Sequence, residues 1–144
     1  MAVEVALALL QRQGQWLMQL RDDIPGIIAP GCWGLFGGHL DPGETPEQAL
    51  RRELLEEISW QPQRLDFVME HRIPRRTAHI FCGELSVPIA ELHLLEGQDM
   101  ALVSSDELRS GRIWSQRLGE ARPLVDGLQE VMAQHHWGAA DKPL

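Results

Sequence analysis

Leu50, Leu54 and Ile58 recur every fourth residue behind Thr45, Pro46 and Gln48, and no other stretch limits so strongly what this chain can become. A threonine hydroxyl caps a helix, proline suits the first turn, and a glutamine three residues after the cap closes a capping box. The pattern predicts a helix starting at Thr45 with one apolar stripe, Leu55 at its margin, that must pack on another layer. The same helix carries Glu53, Glu56 and Glu57. Helical neighbours lie three and four positions apart, so Glu53 faces both of the others. At about 5 Å and an effective dielectric of about 20, each unscreened like-charge pair costs roughly 3 kcal/mol, which exposure and salt reduce. A divalent cation removes the conflict. Oxygen-only ligands suit Mg²⁺ or Mn²⁺ far better than zinc.

Ahead of the helix, Asp41, Pro42 and Gly43 read as a tight turn, and Gly37 and Gly38 allow close backbone approach. A carbonyl there can also bind a cation. Gly38, Glu44, Arg52, Glu53, Leu54, Glu56, Glu57 and Trp60 together resemble the signature of the Nudix hydrolases. That signature is a glycine, five residues, a glutamate, seven residues, then Arg-Glu-apolar-x-Glu-Glu-x-Gly-apolar. Six fixed identities match at fixed spacing. A chance match at one register is on the order of 10⁻⁷ at ordinary residue frequencies, so a merely solvated acidic face does not account for the set. Ser59 stands where the family has glycine. If that glycine ends the helix in a left-handed conformation, serine strains the exit without removing a ligand.

The resemblance implies an α/β fold, a mixed β-sheet sandwiched between helices, as a single domain over residues 1–137 with a flexible tail over 138–144. It implies that Glu53, Glu56 and Glu57 ligate a divalent metal, Mg²⁺ with Mn²⁺ as substitute, helped by the Gly37 carbonyl. Arg52 would hold a carboxylate in place and Glu44 would support the loop. In such enzymes water attacks a phosphorus atom of a nucleoside diphosphate linked to another group. Glu53 is the first choice to accept the water proton and Glu56 the second. Later in the chain Glu96-Gly97-Gln98 resembles a loop tripeptide of the mutator-protein branch, whose glutamate serves as ligand or base; the alternative for Glu96 is a solvated loop acid.

Arg21 resembles a phosphate-binding arginine of the family, and its fork suits phosphate oxygens; the alternative is a strand-end surface charge. Gly38 and Phe36 complete the expected substrate side. Phenylalanine at that position looks like the branch that hydrolyses oxidised purine nucleoside triphosphates, yet Gly34 replaces that branch's asparagine and Ala121 aligns loosely with a second base-reading asparagine. Trp33 and Phe36 are otherwise core aromatics, the commoner use of such side chains. With no tyrosine in the chain, the tyrosine that marks dinucleoside polyphosphate hydrolases is absent.

An apolar run rich in valine and leucine over 3–10 and an alternating one over 15–21 predict two strands joined by a turn at Arg12 to Gly14, and a second strand pair is expected over 65–72 and 77–85 around Pro74, Arg75 and Arg76. Short strands are expected over 92–95 and 101–103, with a capped helical turn over 105–108. Leu124, Val125, Leu128, Val131 and Met132 follow helical spacing, with Pro123 in the first turn and His135 and His136 in the last. His71 and His79 read as structural. A net charge of −8 and a pI near 5.1 argue against a nucleic-acid polymer as ligand, because phosphate backbones demand a basic footprint. Cys32 and Cys82 are too few for a disulfide framework or structural zinc. With neither signal peptide nor anchor in view, a soluble cytoplasmic monomer or homodimer acting on a small nucleotide is expected. The competing function is a Nudix-fold module that senses a nucleotide without cleaving it.

Overall fold

The segment Val5 to Leu10 is uninterrupted apolar sequence, and the fold buries both of its faces. The computed structural model describes residues 3–135. In it β1 (Val3–Arg12) lies mid-sheet, parallel to β6 (Arg76–Glu84) on one side. On the other side its partner changes along its length. Near the turn it pairs antiparallel with β2 (Gln15–Leu20), at Gln11 opposite Trp16, and further back with β4 (Phe36–His39), from Ala8 opposite Phe36 to Val5 opposite His39. Outside these lie β5 (Asp66–Ile73), antiparallel to β6, and β3 (Trp33–Gly34) and β7 (Asp99–Val103), both antiparallel to β2. A central strand apolar on both faces requires coverage on both sides of the sheet.

Successive side chains of a strand point to opposite faces, and the core divides accordingly. Ala6, Ala8, Leu10, Leu17 and Phe36 pack against Leu50, Leu54 and Ile58 of α1 (Pro46–Ile58). Val5, Leu9, Met18, Leu20, Trp33 and Ile80 pack against Leu108 of α2 (Ser105–Ser110) and Leu128, Val131 and Met132 of α3 (Leu128–His135). Leu50, Leu54 and Ile58 are fully buried and stabilise the layer by about 1.5–3 kcal/mol each. The capping box forms as the sequence implies, Thr45 accepting from the Gln48 amide and Gln48 accepting from the Thr45 amide. Ser59 ends α1 in the left-handed region at φ 55°, its amide donating to the Leu55 carbonyl.

Several expectations from sequence change. Residues 92–95 form no strand; their backbone instead donates from His93 to Ile58 and from Leu95 to Glu57 at the end of α1, because helix-terminal carbonyls need partners. Pro123 does not open a helix. It ends β9 (Glu120–Pro123), which pairs with β8 (Arg112–Ser115) in a separate ribbon that alternation over four residues was too short to reveal. Leu124 and Val125 follow as an extended connection, the Val125 amide donating to the Trp33 carbonyl, and the helix begins at Leu128. β3 and β4 replace an expected loop, since a glycine-rich run gives no alternation to read. His136, the side chain of His135 and the expected tail over 138–144 lie outside the described residues.

Candidate active site

Two glycines bring α1 onto the sheet. Gly37 sits at φ 141°, where a Cβ would strike the Ala6 carbonyl, and a Cβ on Gly38 would lie 2.5 Å from the Glu53 carboxyl carbon. Only glycine lets the helix approach this closely with its carboxylates inward. Glu57 falls on the buried side of α1, 3% exposed, beside the leucine stripe. Its Oε1 accepts from the Gly37 amide at 3.0 Å and its Oε2 from the Gln19 side-chain amide at 3.4 Å.

Arg52 organises the outer half. Its Nε and Nη2 donate to the two oxygens of Glu44 at 2.8 and 2.9 Å, a bidentate fork, while Nη1 donates to Glu53 at 3.0 Å and reaches Glu56 at 3.4 Å. Nη2 also donates to the His39 carbonyl at 3.1 Å, joining helix, loop and β4. Glu44 in turn accepts from the Asp41 amide, so the loop turn and the helix share one carboxylate. The Arg52 hydrogen bonds hold the Glu44 carboxyl down at about 2, and Glu44 is the main reason that the Arg52 pKa rises.

The inner carboxylates are pushed the other way. Burial, then the charges of Glu96 and Glu53, raise Glu57 to about 9. Glu53 is raised by burial, opposed by Arg52 and reinforced by Glu56 and Glu96. Glu96 therefore lies close enough to act on both Glu53 and Glu57, although β5 and β6 intervene in the chain. Among the described residues, no three acidic, histidine or cysteine side chains are already drawn into a cluster able to hold a metal ion. Arg52 holds Glu53 and Glu56 towards itself, and Gly37 and Gln19 hold Glu57. The donor set is entirely oxygen, half-buried and mutually repelling, and that chemistry fits a hard divalent cation once Glu53 turns from Arg52.

The remaining expected residues separate. Arg21 directly follows β2, its Nε donating to the Ile28 carbonyl at 2.7 Å; Arg76 is held below the usual arginine range by burial and, after that, by the Arg21 charge. Phe36 is 1% exposed in the helix-side core, which corrects its assignment to substrate contact: its ring acts by packing beneath α1. Trp33 is fully buried, its Nε1 donating to the Ile113 carbonyl. Ala121 lies in β9. His71 and His79 are buried beside Glu130 and beside Glu4 and Glu70 respectively.

Sequence reasoning missed Gln19 and Asp99. Gln19, 3% exposed, donates to Glu57 and also to the Glu96 carbonyl at 2.9 Å. Asp99 is buried at the start of β7 and accepts from the Ser115 hydroxyl at 2.7 Å, tying the β8–β9 ribbon to the Glu96 loop. The readable signal for Gln19 was a lone amide inside the apolar run Trp16 to Leu20.

The profile of the NUDIX domain matches residues 1–119, and the chain belongs to that family. Nudix hydrolases generally use divalent metals. A nucleoside triphosphatase NudI from Escherichia coli O1:K1 is 42% identical over 57 residues, which is 40% of this chain and 40% of that relative's length. Among solved structures, a MutT NUDIX hydrolase from Burkholderia pseudomallei superposes with a TM-score of 0.71 at 21% identity, covering 94% of this chain and 98% of the other. The NUDIX domain of Shewanella oneidensis NrtR, complexed with ADP ribose, gives 0.69 at 18% identity, covering 93% and 86%. At such identities the likeness establishes the fold. Among the described residues, no helix is long and apolar enough to cross a membrane.

Proposed function

We propose that this chain, as a single Nudix unit, is a phosphoanhydride hydrolase that uses Mg²⁺, or Mn²⁺ in its place, to cleave a nucleoside di- or triphosphate or another nucleoside-diphosphate-linked compound. One observation carries the reading. Glu57 is a buried carboxyl raised to about 9 by burial and by Glu96 and Glu53, an arrangement that opposes folding of the charged form unless a cation joins it. Glu53, Glu56, Glu57 and Glu96 are the side chains that would hold the metal, with the Gly37 carbonyl. The cation, when bound, supplies neutralisation of phosphate charge.

The chain's own groups do the rest. Arg52 holds Glu53 at the mouth of the site and locks the loop through Glu44. Water forms a new P–O bond as the bridging P–O bond to the leaving phosphate breaks, and the water proton passes to a carboxylate oxygen. Glu53 suits that role because burial raises its affinity for a proton, with Glu56, more exposed on the next turn, as second choice. Gly38, and Arg21 through the guanidinium nitrogens it does not give to Ile28, would receive phosphate oxygens. Support for a small nucleotide comes from the NudI relative, a nucleoside triphosphatase, and from the NrtR domain complexed with ADP ribose.

Purified protein incubated with Mg²⁺ and a panel of nucleoside triphosphates, diphosphates and nucleoside-diphosphate sugars tests this by release of phosphate, pyrophosphate or nucleoside monophosphate. Turnover of at least one compound, lost on chelation, is expected. Tight nucleotide binding with no product from any of them would favour the sensor instead.

A further inference from the structure

Gln19 occupies a position that neither fold nor packing requires to be polar. It lies within β2, flanked by Trp16, Leu17, Met18 and Leu20, all buried. A buried amide in such a run stays only where its donors are used, because an unpaired one costs about 1–3 kcal/mol. Both Nε2 hydrogens are used. One goes to Glu57 Oε2 at 3.4 Å and the other to the Glu96 carbonyl at 2.9 Å. A single side chain thus touches the helix carboxylate and the backbone of the distant loop at once.

The loop is shaped to meet it. Gly97 has φ 103°, and a Cβ there would lie 2.9 Å from Gln19 Cγ and 2.9 Å from the Leu20 carbonyl oxygen. On the far side of that glycine, the Gln98 amide donates to Leu20 at 2.7 Å and its side chain to the Arg21 carbonyl at 2.9 Å. Three hydrogen bonds therefore seat residues 96–98 on the end of β2; just before them the Leu95 amide holds the Glu57 backbone carbonyl at 2.8 Å, and of the three the Gln19 side chain is the one that also meets the Glu57 carboxylate. Glu96 is exposed at the loop tip, where a mobile backbone would leave its carboxylate free to swing into solvent.

We infer that Gln19 is a positioning residue of the metal centre, the brace that holds the Glu96 loop against Glu57 so that carboxylates from two distant segments face one cation. The inference rests on the metal-centre reading above and deepens it. It assigns Gln19 no contact with substrate or metal. Its role is to fix how far apart Glu57 and Glu96 stand. Outer-shell partners of metal ligands are worth about 10- to 100-fold in metal affinity when removed.

The test is Mn²⁺ binding to the metal-free protein, followed by the electron paramagnetic resonance signal of free Mn²⁺, for wild type, Glu57→Gln, Gln19→Met, Glu96→Gln and the double variant Gln19→Met/Glu96→Gln. Methionine keeps the unbranched shape and removes both donors. Gln19→Met should weaken Mn²⁺ binding by about 10- to 100-fold. Once Gln19 is gone, Glu96→Gln should have little further effect, since the two act through one contact. Gly97→Ala, which pushes the loop off Gln19 from the other side, should reproduce the loss and carries the test if Gln19→Met does not fold. Wild-type Mn²⁺ affinity in Gln19→Met, or losses from Gln19→Met and Glu96→Gln that simply multiply, would overturn the inference. If Glu57→Gln binds Mn²⁺ as tightly as wild type, the metal-centre reading itself is what fails.

Discussion

Replacing Glu57 by glutamine separates the two states in which this carboxyl must serve. In the metal-free protein, burial and the neighbouring Glu96 and Glu53 push Glu57 up to about 9, so at pH 7 it is a neutral acid. Glutamine is then a match in charge and nearly in volume. Its carbonyl can keep the hydrogen bond from the Gly37 amide and its amide can donate to the Glu96 carboxyl in place of the acid, which leaves the contact with Gln19, where two amide groups would have to reorient. Such a hydrogen bond is worth about 1 kcal/mol, so the metal-free melting temperature should change by no more than about 4 °C. With metal the balance reverses. A ligand at a hundred times its dissociation constant stabilises by about 2.7 kcal/mol, roughly 8–10 °C for a domain of this size, and the variant should lose most of that gain together with turnover. The pH dependence has a definite sign. Because the folded pKa lies above the unfolded value of 4.5, the proton on Glu57 contributes stability in full below pH 4.5, and this is lost as pH rises towards 9. Metal-free wild type should therefore lose stability over that window relative to Glu57→Gln, and metal uptake by wild type at pH 7 should release close to one proton. Calorimetric melting with and without Mg²⁺ at pH 6, 7.5 and 9, and titration in two buffers of different ionisation enthalpy, measure both. A variant that melts far below wild type without metal, or one that keeps the full metal-induced rise, would refute the reasoning.

Gly38→Ala should cost about 10²-fold or more in kcat while the protein stays folded, because the added methyl stands 2.5 Å from the Glu53 carboxyl carbon and must displace it; steady-state kinetics beside circular dichroism check this, and unchanged kcat would mean Glu53 is not used. Ser59→Gly should raise the melting temperature by about 2–4 °C, since Ser59 holds φ 55° at the end of α1 and glycine relieves a strain of about 1–2 kcal/mol against its own entropic cost of about 0.5–1. A fall in melting temperature would show that the serine side chain stabilises the helix exit.

The helix and the identity of its carboxylates were determined by local chemistry. Thr45 and Gln48 satisfy each other's orphan amides and Pro46 has none to satisfy, all within four residues, and Leu50, Leu54 and Ile58 repeat with the helical period, so nothing distant was needed to read them. The same holds for β1, β2, β5 and β6, whose apolar or alternating runs are long enough to see. Short or glycine-rich strands were hidden, because β3, β4, β8 and β9 exist only through the neighbours that pair with them. Pro123 illustrates the ambiguity: a fixed φ suits a first helical turn and a strand end alike, and the Trp33 carbonyl that receives the Val125 amide decided between them.

The sequence by itself determined which residue types stand ready to meet a cation: glutamates at helical spacing, an arginine among them, and glycines where a backbone must come close. Only the tertiary structure decided that Arg52 divides its bonds between Glu44 and Glu53, that Phe36 is core, and that Gln19 and Glu96 converge on Glu57. The physical reason is range. Capping and periodicity act between residues a turn apart, whereas the charge on a buried carboxyl depends on whatever segments the sheet brings beside it, 38 positions from Gln19 to Glu57 in this chain.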